Sequence, residues 1–298
     1  MKYKISRSKK YFGYAFYSIL LTFGLLFYRF PSDAYRDYFQ VITNSINPQL
    51  LLLIEKIHPS FPFGLNLLHP KLSLKADPNI RVFVAENLLI RPDLRSFLKE
   101  ESIYYFDCLA YDGDLKGNIR FEKTGTKTPF STSIELKDIC IDDFAQLSDL
   151  IEGNIRGTLG GSITYGGNYN FLIDGIGEAN LRISDGHVEL LYPILSFKSI
   201  DFDEMLIKMS LGNRTIDLAS VELKGRVIHG ALSGTVSLKK EISQSRLNLK
   251  GTIMFLASPD KRNKDASETL GPFLKNRKRN KLSFMIHGTL TEPKLKFI

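Results

Sequence analysis

Apolar and polar residues alternate along most of the chain beyond residue 48. In the segment 247–255 (LNLKGTIMF), Leu247, Leu249 and Ile253 fall on one face, while polar residues fall on the other. Segment 231–239 (ALSGTVSLK) has the same pattern, and apolar runs with turn signals between them continue to the last residue. A period of two over seven to nine residues is typical of antiparallel strands with one buried face. The pattern therefore predicts a mainly all-β domain over residues 49–298.

One five-residue motif, an aliphatic residue, a polar residue, glycine, a small polar residue and an aliphatic residue, recurs along these strands. It begins at residues 115, 155, 159, 232, 249 and 286 (LKGNI, IRGTL, LGGSI, LSGTV, LKGTI and IHGTL). Each glycine falls on the apolar face, where it costs stability and marks a bend or a close approach. We interpret the motif as architecture: a long sheet that coils about its own axis, with bends at the glycines.

The apolar phase of the later strands defines the predicted interior of this sheet. The candidate interior residues are Leu223, Val227, Leu232, Val236, Leu238, Leu249, Ile253, Ile286 and Leu290. On the sequence alone an ordinary residue of the protein's own core is the favoured interpretation for each of them.

Helical signals in the β-rich region are few and short. Pro92 opens the segment 91–100 (RPDLRSFLKE), and Asp142 can cap the segment 142–151 (DDFAQLSDLI). A weaker helix is expected at 267–275, where Gly–Pro interrupts it. Turns are expected at 112–114, 165–170, 184–186 and 211–213.

The N-terminus differs in character from the rest of the chain. Residues 1–10 hold five Lys or Arg and no acid, and the next 18 residues carry no charge. A helix of that length spans about 27 Å, close to the thickness of a hydrocarbon core. Tyrosines stand at both ends, as at membrane interfaces. The sequence predicts a cytoplasmic segment (1–10), one transmembrane helix (11–30) and a juxtamembrane connector (31–48).

Two further features bear on this N-terminal prediction. A cleaved signal peptide is the alternative, but bulky residues occupy the positions where a signal peptidase needs small ones. Within the connector, Ser32 is expected to cap a short helix that runs to about Ser45.

The net charge of +8 is concentrated in two segments. One is the N-terminus; the other is 261–281, with eight basic and two acidic residues. The remainder is mildly acidic, so we expect no nucleic-acid partner. Three readings of the second segment stay open: a solvated loop, a contact with anionic lipid, or a contact with an acidic protein. The candidate contact residues are Lys275, Arg277, Lys278, Arg279 and Lys281.

The residue types that usually act in catalysis or metal binding do not form a recognisable catalytic or metal site in the sequence. The two cysteines, Cys108 and Cys140, lie in apolar runs, which favours buried free thiols; a disulfide in an oxidising compartment is the alternative. The histidines are His58, His69, His187, His229 and His287, and none has metal-ligand spacing. We therefore expect no enzyme, no metal and no cofactor. A site assembled only by the fold is the weaker alternative.

Four stretches resemble the type II secretion system protein N family, which is related to the AsmA-like proteins of diderm envelopes. They are FPSDAYR at 30–36, RPDLRSFLKE at 91–100, IDLASVELKGRVIHGALSGTVSLKK at 216–240 and HGTLTEPKLKFI at 287–298. The resemblance runs over nearly all the chain, although its motifs are mostly alternation plus glycine. The basic segment 261–281 is longer and more charged than the family pattern.

The resemblance implies an antiparallel sheet rolled into an open, twisted groove with an apolar interior. The groove would stand in the periplasm on a single-pass inner-membrane anchor. The family role is a non-catalytic accessory component of the type II secretion system, with other secretion components as partners. In AsmA-like relatives such grooves are thought to carry acyl chains, so phospholipid binding is the alternative. Copurification with secretion components favours the first function, and bound lipid the second.

Overall fold

The computed structural model begins with two helices and continues almost entirely as strands. It describes residues 7–78, 80–122, 129–143, 155–168, 172–194, 197–256 and 281–298. Helix α1 (Arg7–Tyr28) covers the uncharged run, and helix α2 (Ser32–Ile46) covers the connector. Among these residues, no helix has both the length and the apolarity needed to cross a membrane.

The strands form one small and one large sheet, and all pairings are antiparallel. The strands are β1 (Leu50–Leu53), β2 (Lys56–Ser60), β3 (Gly64–Leu68), β4 (Lys71–Leu74), β5 (Arg81–Val84), β6 (Asn87–Pro92), β7 (Glu101–Ala110), β8 (Gly113–Glu122), β9 (Pro129–Cys140), β10 (Ile155–Asn168), β11 (Ile176–Ile194), β12 (Phe197–Gly212), β13 (Thr215–Lys224), β14 (Ile228–Ser237), β15 (Arg246–Phe255), β16 (Lys281–Thr289) and β17 (Pro293–Phe297). The small sheet has the order β1-β4-β5. The large sheet has 14 strands in the order β2-β3-β6-β7, then every strand in sequence to β17. This confirms the mainly β fold with one long antiparallel sheet.

Two of the predicted turns are tight hairpins that join neighbouring strands. Tyr111 and Asp112 connect β7 to β8 with φ of 53° and 56°, and Asn213 and Arg214 connect β12 to β13 with φ of 51° and 58°. Two successive residues with positive φ match the right-handed twist of paired strands. The turn predicted at 184–186 was wrong, because β11 runs through it with only Asp185 at positive φ. The segment 165–168 likewise belongs to β10.

Strand register places the apolar residues of successive strands on one face of the large sheet. Leu67 pairs with Leu88, Leu88 with Cys108, Cys108 with Leu115, and Leu115 with Leu136. Because side chains alternate between faces, residues paired directly across strands share a face. The period-two pattern of each strand thus becomes a single apolar face that crosses the sheet.

Over the first strands this face is covered by other parts of the chain. Ile54, Ile57 and Leu67 form a buried cluster against which two aromatic residues are packed: Phe30, just before α2, and Phe39, within α2. A second cluster, at Cys108 and its neighbours, packs against Phe83 of β5. The N-terminal end of the apolar face is therefore a packed core beneath α2 and the small sheet.

The structure corrects two helix predictions. The segment 91–100 is not an α-helix: β6 extends to Pro92, and only Ser96–Leu98 forms a 3-10 turn. The hydroxyl of Ser96, which is almost fully buried, donates to the carbonyl of Asp93 and accepts from the amide of Ile103. These two hydrogen bonds fix the short connection before β7, and they leave no room for a helix longer than the 3-10 turn.

The predicted capping side chains have other surroundings. Helix α2 starts at Ser32 and ends at Ile46, as expected, but no side chain caps its N-terminus. Asp142 lies in a 3-10 turn, and its carboxylate accepts a hydrogen bond from the amide of Gly157. The remainder of the helix predicted at 142–151, and all of that at 267–275, lie outside the described residues.

Candidate functional site

Six of the nine predicted interior residues share the apolar face of the last strands. Leu223 on β13 stands opposite Gly230, which stands opposite Ile253. Leu249 stands opposite Gly234 and pairs with Ile286 on β16. The remaining two, Leu232 and Val236, alternate with these glycines along β14. The structure thus brings together Leu223, Leu232, Val236, Leu249, Ile253 and Ile286.

Three of the nine residues lie outside the strands. Val227 belongs to the turn between β13 and β14, where the amide of Gly225 donates to the carbonyl of Ile228, and its side chain is 46% exposed. The alternation in VELKGRV had suggested a strand, but this turn interrupts it. Leu290 follows β16 in another turn and is 44% exposed. Leu238 comes directly after β14 and is partly buried.

Three glycines of the apolar face lie beneath aromatic rings of the neighbouring strand. Gly117 pairs with Phe106, Gly186 with Phe202, and Gly251 with Phe284. A Cβ at Gly117 would lie 2.7 Å from Cζ of Phe106, and the rings of Phe202 and Phe284 lie as close to their glycines. A ring can lie flat over the backbone only where the paired residue has no side chain. These glycines therefore mark close approaches.

The other motif glycines have a backbone conformation that side chains disfavour. Gly157, Gly161 and Gly234 have φ of 140°, 136° and 136°, and Gly288 has φ of 109°. Strand pairing shifts register at Gly157 and just before Gly161, as in a β-bulge. Irregularities of the kind predicted are found at Gly157 and beside Gly161, while Gly234 and Gly288 share only the positive φ. One sequence motif therefore serves two structural purposes.

A row of five aromatic rings crosses the sheet at one end, which the sequence analysis missed. It runs Phe97, Tyr104, Phe121, Phe130 and Tyr165, with centroids 6.3, 6.1, 6.3 and 5.4 Å apart in turn. The last four belong to β7, β8, β9 and β10 and share the apolar face through their pairings. Such spacing favours ring–ring contact beyond simple burial. The apolar face therefore has an aromatic border.

Hydrogen bonds fix the loop that follows Tyr165, the last ring of this row. The hydroxyl of Tyr165 donates to the carbonyl of Leu172, 2.8 Å away. Two residues further on, Asp174 accepts hydrogen bonds from Nε and Nη2 of Arg214 in the turn between β12 and β13. The hydrogen bond from Arg214, together with its charge, lowers the pKa of Asp174. This pair fixes the end of the aromatic border.

The opposite face of the sheet carries charged ladders. Glu204 on β12 lies 3.1 Å from Nε of Arg182 on β11 and 3.0 Å from Nζ of Lys224 on β13. The hydrogen bond from Lys224, followed by the charges of Lys224 and Arg182, lowers the pKa of Glu204. A hollow of about 560 Å³ on this face is lined largely by polar side chains, including Asp107 and Lys116. The two faces of the sheet therefore differ sharply in chemistry.

Titratable and metal-ligating side chains occur mainly as isolated pairs. Nδ1 of His69 lies 2.9 Å from Glu55, and Nδ1 of His187 lies 2.6 Å from Asp201. Throughout the described parts of the chain, no three His, Cys, Asp or Glu residues are grouped as metal ligands. Both Cys108 and Cys140 are free thiols; Cys108 is buried and Cys140 partly so.

The basic segment is described only at its end. Lys281 is the first residue of β16 and is exposed. The predicted contacts Lys275, Arg277, Lys278 and Arg279 lie outside the described residues.

The chain was compared with family models, curated proteins and solved structures. None of the three comparisons finds a match. The two faces of the large sheet, one apolar and one charged, are therefore the features from which a function can be inferred.

Proposed function

We propose that this chain is a non-catalytic envelope protein that holds lipid acyl chains against the apolar face of its large sheet. The observation that carries the proposal is the continuity of that face from β8 to β17. Beyond the strands covered by α2 and the small sheet, its aliphatic residues are mostly only partly buried. From β8 onward, the extensive strand–strand contacts in the described chain are all between neighbours in the large sheet. An uncovered apolar face of this length favours an apolar ligand.

The accessible surface of the chain supports an open architecture. A compact protein of 33.8 kDa exposes about 12,700 Å². The total for this chain is 21003 Å², which includes the exposed helix α1 and the segments outside the described residues. Antiparallel sheets twist, and register shifts such as those of β10 increase the twist, so a partly buried but uncovered face is expected on the inside of the curved sheet. We therefore infer a rolled, open groove with the apolar face within.

The energetics suit an acyl chain. Removing one methylene group from water contributes about 0.8 kcal/mol, so eight methylenes on the apolar face would contribute roughly 6 kcal/mol. A binding free energy of this size corresponds to a dissociation constant between micromolar and millimolar, before the cost of ordering the acyl chain is subtracted. Phe106, Phe202 and Phe284 lie over glycines, so no side chain of the paired residue stands beside these rings on the apolar face.

In this proposal the protein is attached to the inner membrane through α1 and its β domain stands in the periplasm. The basic residues before α1 favour a cytoplasmic N-terminus. The tyrosines of α1 are exposed, as rings at a lipid interface would be in a chain without lipid. Carbonate extraction of membranes tests the attachment, and protease access to intact spheroplasts tests the orientation.

Site-specific photo-crosslinking in the full chain tests the lipid site. A photo-reactive amino acid at Leu232, on the apolar face, is expected to yield a lipid adduct that mass spectrometry identifies. The same amino acid at the next residue, Ser233, which faces the other way, is the matched control. Equal lipid adducts at both positions, or none at Leu232, would refute acyl binding by the face.

A second candidate function is the accessory role in type II secretion that the sequence resemblance implies. Edge strand β17 favours it, since all five residues are exposed and its outer backbone edge is available for an added strand. Lys294 and Lys296 on this edge discourage indiscriminate pairing, which suits a selective partner. Loss of exported enzymes after deletion of the gene, with copurified secretion components, would favour this function over lipid binding.

A further inference from the structure

Strand β17 forms one edge of the large sheet, and its hydrogen bonds to β16 fix which of its backbone groups face inward. Apart from β16, no strand of the described chain pairs with it. The amide of Ile298 donates to the carbonyl of Ser283 on β16, 2.9 Å away. Hydrogen-bonded residues alternate in an antiparallel pair, so Lys296 and Lys294 also direct their N–H and C=O groups toward β16.

The residues between these two lysines direct their backbone groups outward. Leu295 and Phe297 each present one N–H and one C=O group at the outer edge of β17. Pro293 has the same phase, and a strand tolerates proline where the missing N–H would have pointed away from its neighbour. The outer edge of β17 therefore has alternating donors and acceptors placed to receive an added strand.

The side chains of β17 alternate between the two faces of the sheet. Leu295 and Phe297, which are 46% and 44% exposed, continue the apolar face through their pairing with β16. Lys294 and Lys296 lie on the opposite face and are exposed. Residues of an added strand would be sorted in the same way, one set beside the apolar pair and the other beside the lysines.

The opposite face of the last three strands is strongly basic. The register places on it five exposed cations: Arg246, Lys250, Lys281, Lys294 and Lys296. In β15, β16, β17 and the hairpin between the last two, the only carboxylate side chain is that of Glu292. No ion pair joins any of the five cations to a carboxylate of the described residues. The charge beside the edge is therefore positive and uncompensated.

A second copy of this chain does not fit the edge. Two antiparallel registers give both Leu295 and Phe297 a residue of matching phase in the second copy. With Leu295 opposite its own counterpart, each Lys294 lies opposite a Lys296. With Leu295 opposite Phe297, the two Lys296 side chains lie opposite each other. Like charges directly opposite destabilise a strand pair, so a suitable strand has negative charge where β17 has positive charge.

We propose that β17 receives an extended segment of a partner protein in which acidic and apolar residues alternate. The segment pairs antiparallel, like every other pair in the sheet, and exchanges backbone hydrogen bonds with Leu295 and Phe297. Its carboxylates lie opposite Lys294 and Lys296, in the non-hydrogen-bonded positions where side chains approach most closely. This inference rests on the second candidate function, docking of another envelope component, and it is independent of acyl-chain binding.

Fluorescence anisotropy with defined peptides tests the inference in the full-length protein in mild detergent. The probe is a short labelled peptide that alternates glutamate and valine, and its counterpart alternates lysine and valine. Each pair of opposite charges contributes up to about fivefold in affinity. The glutamate probe is therefore expected to bind saturably, and about tenfold or more tightly than the lysine probe.

Reversing the charge of β17 should reverse the preference between the two probes. Replacing Lys294 and Lys296 by glutamate changes only exposed side chains, so the fold should be kept. The matched control replaces Lys239 and Lys240, which are exposed in the connection between β14 and β15, by glutamate. The control changes the net charge equally and should leave the preference for the glutamate probe unchanged.

Leu295→Pro tests the backbone part of the inference. The N–H that this change removes points away from β16, so β17 should stay paired, and circular dichroism checks that the fold is kept. The glutamate probe should no longer bind, because an added strand loses a donor and meets the proline ring. Leu295→Ala keeps the N–H and should retain most of the binding.

Several results would overturn the inference. Absence of saturable binding, or an unchanged preference after charge reversal of β17, would exclude an acidic strand. Unchanged binding to Leu295→Pro would show that the lysines attract any polyanion, an anionic membrane included, without strand addition. Competition by a peptide with the sequence of β17 would identify a second copy as the occupant. Lipid adducts at Leu232 should be unaffected by these variants, so either proposal can fail without the other.

Discussion

Replacement of Gly251 by alanine tests whether glycines on the apolar face are required by the rings above them. Gly251 pairs with Phe284, and a Cβ there would lie 2.7 Å from Cε1 of that ring, with Cζ closer still. The backbone of Gly251 does not have positive φ, so the steric conflict with the ring is the only large cost. Gly251→Ala should therefore destabilise the fold through Phe284 alone.

The size of the effect follows from two opposing contributions. Forcing an extra carbon into a packed site costs about 1–3 kcal/mol. Alanine in place of glycine gives back about 0.4–1 kcal/mol, because the unfolded chain loses conformational freedom. The expected net destabilisation for Gly251→Ala is therefore about 1–2 kcal/mol.

Two further glycines serve as matched controls. At Gly230, on the strand paired with that of Gly251, a Cβ would meet only Cβ of Leu223, at an ordinary distance of 3.5 Å. Gly230→Ala should be neutral or stabilising by up to about 1 kcal/mol. At Gly234, φ is 136° and a Cβ would meet the carbonyl of Asn248, so Gly234→Ala should be the most destabilising of the three.

Urea unfolding of the full chain, followed by circular dichroism in mild detergent, measures these differences. Adding Phe284→Ala to Gly251→Ala completes a double-mutant cycle. Without the ring, the extra methyl group should cost nothing, and the coupling between the two changes should exceed about 1 kcal/mol. Equal effects of Gly251→Ala and Gly230→Ala, or no coupling with Phe284, would refute the argument.

Three further predictions concern the pH dependence of one ion pair, the reactivity of the two thiols and the loss of one buried hydroxyl group. Because the pKa of Asp174 is lowered, its pair with Arg214 stabilises the fold above the usual value of 3.8 and is lost as the pH falls through the folded value. Proteolysis near residue 172 should then accelerate in acid, and Asp174→Asn should remove that dependence. Burial, then the charge of Asp107, raises the pKa of the Cys108 thiol to about 11, so iodoacetamide should label Cys140 first and Cys108 only after unfolding. Ser96→Ala leaves a buried amide without its acceptor and should cost about 1–3 kcal/mol in urea unfolding.

The strands and several turns could be predicted from the sequence, because their signals are local. Alternation such as that of LNLKGTIMF reports the two-residue period of the pleated backbone, whatever the strand pairs with. The turn at 112–114 was likewise readable from its residues. The local signal failed where a turn left the alternation unbroken, as at Val227, which the structure places between two strands.

The tertiary structure alone decided what each glycine does and what covers the apolar face. Gly251 and Gly234 stand in nearly identical motifs, yet one lies beneath Phe284 and the other has φ of 136°. The difference depends on the register with the neighbouring strand, and no local pattern encodes a partner 33 residues away. The aromatic border and the packing of Phe30 against the cluster of Ile54, Ile57 and Leu67 are also contacts between distant segments. The sequence determined that the chain would form strands with one apolar face, because alternation is a property of each strand. Which parts of that face are covered, and which are only partly buried, was decided when the strands came together, because burial is a property of the assembled sheet.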